Sequence, residues 1–149
     1  MRPEYGNPAG VTEDVEVVRA IYAAFAARDI EGAVAHLAED CELVLEGTAR
    51  IAGRTGPYRG RAGMREYFGD VERVWDELTL HADDFRALPG SVVVMGHVCA
   101  RRGNEEIRRN VLWTWRLRDG QAVAVRASDL GAAASRASAP PAAGTRDVP

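Results

Sequence analysis

A chain of 149 residues, with 19 basic against 22 acidic side chains and a formal net charge of -3, has room for one domain whose core needs no disulfide or structural metal. That balance leaves no basic face prepared for nucleic acid, so none is expected as a partner. Every basic residue is arginine, which excludes Schiff-base lysine catalysis and the phosphate-loop lysine.

Residues 1–15 hold no apolar run, so neither a signal peptide nor a membrane span is expected there. Cys41 and Cys99 stand far apart in apolar surroundings, which predicts free thiols in a reducing, cytoplasmic compartment. Residues 1–10 read as a flexible leader, 11–130 as a single domain, and the Ala/Pro-rich residues 131–149 as a disordered tail with nothing to bury.

The first helix is predicted to be capped by Thr12, with Glu13 and Asp14 in its first turn. Val15, Val18, Ile21, Tyr22 and Phe25 form its apolar stripe. Asp29 starts a shorter helix that turns Ala33, Val34 and Leu37 inward and ends near Asp40. Over 41–46 the period changes to two: Cys41, Leu43 and Leu45 face one way, Glu42, Val44 and Glu46 the other. Residues 47–58 are rich in Gly and Arg and read as a long loop or a poor hairpin. A third helix then carries Met64, Tyr67, Phe68, Val71, Val74, Trp75 and Leu78 on one face.

The remainder predicts strands at 79–88, 91–101, 106–118 and 121–129, punctuated by Pro89-Gly90, Gly103 and the tight Asp119-Gly120 turn. Helices followed by an antiparallel meander imply an α+β domain, its curved sheet closed on the concave face by three helices. The cone so enclosed is either filled by side chains or it binds something.

Asp29-Ile30-Glu31, Pro57-Tyr58-Arg59-Gly60-Arg61 and Trp113-Thr114-Trp115-Arg116-Leu117-Arg118-Asp119-Gly120, with this order of elements, resemble the SnoaL-like branch of the NTF2-like superfamily over about residues 11–130. That superfamily includes ketosteroid isomerases, polyketide cyclases and limonene epoxide hydrolases. The resemblance implies a pocket inside the cone. Aligned without gaps on the isomerase pattern, Ile21 stands where a tyrosine would bind the enolate, Leu45 where the base would stand and Trp113 where a protonated aspartate would stand. Tyr22 and Glu46 lie one residue away, and on a strand one residue changes the face.

The resemblance also implies that an acid late in the chain, here Asp129, acts as general base. Alternation places Asp129 with Val123, Val125 and Ala127, where aromatic surroundings would raise its pKa; the competing reading is a solvated strand-end residue. Arg109 is the one charge among Ile107, Val111, Trp113, Trp115 and Leu117. It can stabilise an enolate, pair with Asp129, or snorkel into water.

Tyr67 offers a hydroxyl to a ligand carbonyl, while Phe25, Phe68, Val71, Trp75 and Val98 complete the expected wall. Tyr58, Arg59 and Arg61 are assigned to structure, the arginines pairing with nearby acids. His36, His81 and His97 show no metal-ligand spacing, so no metal is expected, and no cofactor motif is present.

Two functions follow from this: a cofactor-free isomerase or cyclase acting by general acid-base chemistry on a hydrophobic enolisable molecule, or a non-catalytic binder or scaffold of the same fold. The mixed outer sheet face, with His97, Cys99, Asn110, Leu112 and Thr114, predicts a homodimer.

Overall fold

A computed structural model describes residues 8–132. The elements run α1 (Pro8–Ala26), α2 (Ile30–Val34), β1 (Leu37–Val44), α3 (Glu46–Ala52), β2 (Tyr58–Arg59), α4 (Gly60–Val74), β3 (Glu77–Leu88), β4 (Ser91–Arg102), β5 (Glu105–Arg118) and β6 (Gln121–Ala132). All six strands form one curved sheet in the order β2-β1-β6-β5-β4-β3. The last four strands are the expected antiparallel meander, β1 lies parallel to β6, and β2 pairs antiparallel with β1.

The meander follows from its turns. Leu88 pairs with Ser91, Arg102 with Glu105, and Arg118 with Gln121, so each hairpin closes through two residues. Asp119 and Gly120 take φ of 54° and 78°, the left-handed pair that matches strand twist. Alternation does the rest: Val92 and Val94 on β4 and Val111, Trp113, Trp115 and Leu117 on β5 are buried. Against them pack Val18, Ile21 and Phe25 of α1 and Met64, Tyr67, Phe68 and Val71 of α4.

Several boundaries differ from the sequence expectation; among them α4 ends at Val74, so Leu78, expected on its face, lies on β3. The first helix begins at Pro8, so Thr12 lies within it and is not its cap. The second ends at Val34, and Leu37, expected on that helix, opens β1. Asp29 does cap it, accepting a hydrogen bond from the Gly32 amide at 3.0 Å. Residues expected to form a loop contain a helix, α3, making four helices rather than three among the described residues. Its ends explain why it was hidden: Leu45 at the N-cap makes no side-chain cap bond, and Gly53 closes it at φ 87°. Burial of Thr48 and Ala49 against the rest of the fold holds it in place. The tail beyond Ala132 and the first part of the leader lie outside the described residues.

In the Pro57–Arg61 stretch both arginines pair with nearby acids. Arg59 pairs with Glu42 at 2.8 Å and Arg61 with Glu39 at 3.9 Å. Gly63 lets α4 lie close against Tyr58, since a Cβ there would stand 2.8 Å from the Tyr58 carbonyl carbon. Among the described residues no helix is long and apolar enough to cross a membrane.

Candidate functional site

Inside the cone, Ile21, Tyr22 and Phe25 of α1, Tyr67 and Phe68 of α4, Leu45, Trp113 and Trp115 surround a cavity of about 40 Å³. Ala33, Met64, Leu80 and Val125 complete its wall. These twelve residues include seven of the expected binding residues and Tyr67, expected as a polar catalytic group. The space is far below the roughly 300–1,000 Å³ of a ligand pocket.

Aromatic packing fills it. Tyr22 meets Trp113, Trp115 and Phe85 edge-on at 5.4, 5.9 and 6.1 Å, and Phe25 stacks on Tyr67 at 5.8 Å. Each such pair adds about 0.5–1.5 kcal/mol beyond the area it buries.

The polar side-chain atoms of this interior include the hydroxyls of Tyr22 and Tyr67 and the indole nitrogens of Trp113 and Trp115. Trp115 Nε1 donates to Tyr22 Oη at 3.2 Å, and burial raises the Tyr22 hydroxyl well above the usual tyrosine value. Burial pushes Tyr67 up to about 12, opposed by its hydrogen bonding with Thr48. Both therefore stay protonated at neutral pH and can donate but not serve as bases. Among the described residues no carboxylate lines the cavity.

Six expected lining residues stand elsewhere. Val71 and Val111 are buried in the core, and Val98 and Ala127 pack against it without reaching the cavity. Trp75 ends α4 and donates its Nε1 to Thr48 Oγ1 at 3.0 Å. Glu46 does not face the cone either. It opens α3 and is exposed, because the chain leaves the strand at Val44 and helical geometry replaces the alternation that had been projected onto it.

Asp129 follows the solvated strand-end reading rather than the apolar one, and Arg109 pairs with it. Asp129 stands opposite Val111 across the sheet and so shares the inner face, but a bulge at Leu130 follows and its side chain is 56% exposed. Arg109 Nε donates to both carboxylate oxygens at 3.2 and 3.0 Å, and the Gly131 amide donates at 2.8 Å. The Arg109 hydrogen bond, then that of Gly131, holds Asp129 below the usual carboxylate range, with Arg50 adding to the effect. The expected rise is thus reversed, because an ion pair replaces the apolar surroundings. Val123, expected to face inward, is the extra residue of a second bulge on β6.

A space of ligand size lies on the other side of Leu45. Val44, Leu45, Ala49 and Pro57 form the apolar part of a cleft of about 470 Å³, which Arg50, Arg54, Arg59, Arg126, Glu42 and Glu46 line with charge. Leu45 borders both spaces. Arg59 is neutralised by Glu42, and Arg54 is engaged by Asp70 and by Glu66 at 3.5 Å. Arg50 and Arg126 have no ion-pair partner among the described residues.

Asp70 anchors the cleft wall from beneath. Its side chain is 5% exposed and accepts from Arg54, from Tyr58 Oη at 2.8 Å and from Arg73 at 2.6 Å. Burial opposes its charge most strongly, yet the bonds from Arg54 and Tyr58 together hold it below the usual carboxylate range. Sequence reasoning missed Asp70. Its signal was a carboxylate three residues after the buried Tyr67, beside the apolar stripe of α4.

A cone of curved antiparallel sheet closed by helices, with aromatic walls, defines an NTF2-like α+β protein. The SnoaL-like domain family matches residues 18–125, and the chain belongs to that family. Among solved structures it is similar to TerC, co-crystallised with polyporic acid, at 28% identity over 78% of this chain and 91% of that one, with a TM-score of 0.71. An NTF2-like protein of unknown function from Burkholderia pseudomallei shares 24% identity over 78% and 90% of the two chains, with a TM-score of 0.71. A protein of ketosteroid isomerase-like fold from Catenulispora acidiphila, in complex with trimethylamine, shares 13% identity over 76% and 84%, with a TM-score of 0.65. No curated protein matches the chain.

Proposed function

We propose that the protein binds a small organic acid with an apolar body, held in the arginine-lined cleft. The observation that carries this is a space of about 470 Å³ in which Arg50 and Arg126 lack ion-pair partners among the described residues while Val44, Leu45 and Pro57 offer apolar contact. A guanidinium matches a carboxylate or enolate in a planar, two-bonded geometry. TerC, a relative at 28% identity, was co-crystallised with an acid, polyporic acid, which supports the same ligand class. Isothermal calorimetry against a panel of aromatic and alicyclic carboxylic acids tests it. Binding that weakens about tenfold or more in the Arg50→Ala/Arg126→Ala variant is expected; equal binding by the variant would refute it.

A second reading, acid-base catalysis on an enolisable hydrophobic substrate, is favoured by one observation: Asp129 shares the inner face with Val111 and Trp113 and lies in the field of Arg50. Arg109 would orient the carboxylate and Tyr67 would donate a hydrogen bond. As an ion-paired carboxylate of lowered pKa, Asp129 is the weaker kind of general base. Deuterium incorporation from heavy water into enolisable cyclic ketones separates the readings: exchange lost in Asp129→Asn supports catalysis, whereas acid binding without exchange supports the binder.

We also place the protein in the cytoplasm, supported by the free thiols of Cys41 and Cys99. For the half-buried outer face around Leu112 and Thr114 the occupant we propose is a second copy of the chain. Sedimentation giving only monomer at micromolar concentration would remove the dimer.

A further inference from the structure

On the outer face of the sheet, away from both spaces, His81 of β3 and His97 of β4 are direct cross-strand partners, and Cys99 follows two residues along β4 on the same face. The sequence shows no metal-ligand spacing because the histidines lie on different strands; pairing in the sheet is what joins them. One ligand atom from each of His81, His97 and Cys99 lies within 4.8 Å of the others, and all three residues are half-buried. The imidazoles stack at 4.3 Å and 9°. We infer that His81, His97 and Cys99 form a binding site for a borderline-soft divalent metal such as Zn²⁺.

Local geometry prepares these side chains. Ala82 pairs with Gly96 and Asp84 with Met95, so Asp83 is the extra residue of a bulge. Gly96 permits it: a Cβ there would stand 1.8 Å from the His81 carbonyl oxygen. The bulge redirects Asp83, whose Oδ2 lies 3.0 Å from His97 Nδ1. A carboxylate on one ring nitrogen fixes the imidazole and leaves Nε2 for a metal, the arrangement that orients metal-bound histidines. Arg108 Nη1 donates to Cys99 Sγ at 3.2 Å, the kind of outer hydrogen bond that a metal-bound thiolate accepts.

Two imidazoles and one thiolate are a donor set suited to zinc, leaving a fourth position for water. Tetrahedral zinc, with ligands at about 2.0–2.3 Å, holds them about 3.5 Å apart, so binding requires the stacked imidazoles to rotate out of parallel and the ligand atoms to approach by about 1 Å. Binding breaks the S–H bond of Cys99, forms a metal–sulfur bond and releases the proton to solvent.

The test uses the full, untagged, reduced protein, titrated with Zn²⁺ by calorimetry and with Co²⁺ as a coloured probe. Saturable Zn²⁺ binding is expected, with a sulfur-to-cobalt charge-transfer band that is absent in Cys99→Ser. His81→Ala should weaken Zn²⁺ binding by more than about tenfold, and Asp83→Asn, which touches no metal, by about tenfold. All three variants alter outer-face side chains, and circular dichroism checks that each is folded. The inference is overturned if the natural protein shows no cobalt–sulfur band, or if folded Cys99→Ser and His81→Ala bind Zn²⁺ as tightly as it does.

Discussion

Leu45 divides two spaces that differ in almost every respect. Behind it, apolar and aromatic side chains have collapsed to leave about 40 Å³; in front, charged side chains border about 470 Å³. Dispersion and apolar burial reward closure of the interior. Guanidinium groups gain nothing by packing on one another, so Arg50, Arg54, Arg59 and Arg126 leave room between them. The lesson is that aromatic residues in this cone serve stability first, and that the room for a ligand is found where charge prevents collapse.

This contrast can be broken by mutation, and the largest effect is expected in the interior. Trp115→Ala should lower the unfolding free energy by about 4 kcal/mol, read by urea denaturation; a loss under about 1 kcal/mol would mean that the cone is loosely packed. Asp70→Asn should cost about 3 kcal/mol at neutral pH, because Arg54 and Tyr58 lose an ionised partner. The folded Asp70 pKa lies below its unfolded value of about 3.9. Its contribution is therefore complete above that value and is lost as pH falls through the folded value, so the acid limb of a stability profile should flatten in Asp70→Asn.

Leu45→Ala sharpens the comparison by removing the partition. It should cost about 2 kcal/mol, at the low end for leucine because the residue is only partly buried. In return, an acid with a larger apolar body should bind more tightly, by about 0.8 kcal/mol for each methylene it buries in the interior. The smallest stability effect is expected for Arg50→Ala/Arg126→Ala, within about 0.5 kcal/mol of the natural protein. A melting shift well beyond that would make these arginines structural.

The fold was legible where local chemistry and tertiary packing agree. Asp119-Gly120 announces its hairpin, and Val92 to Val94 and Val111 to Leu117 announce their strands by alternation. Asp29 announces the start of α2. Legibility failed where tertiary contacts overrule local preference. Gly47 and Gly53 make residues 46–52 look like a loop, but the buried Thr48 and Ala49 hold them as α3. Alternation cannot reveal the bulge at Val123; it places Asp129 on the inner face correctly but does not show that this strand end is open to solvent, where the pairing with Arg109, one of the alternatives the sequence left open, is found. The arginine cleft was illegible for a similar reason: Arg50, Arg59 and Arg126 come from separate elements that only the sheet order brings together.

The most direct test is a backbone-amide NMR titration of the protein with an aromatic carboxylic acid. Binding in the cleft predicts saturable shifts centred on Val44, Leu45, Ala49, Arg50 and Arg126, lost in Arg50→Ala/Arg126→Ala. Shifts confined to Trp113, Trp115 and the α1 face, unchanged in that variant, would place the ligand in the aromatic interior and contradict binding in the cleft.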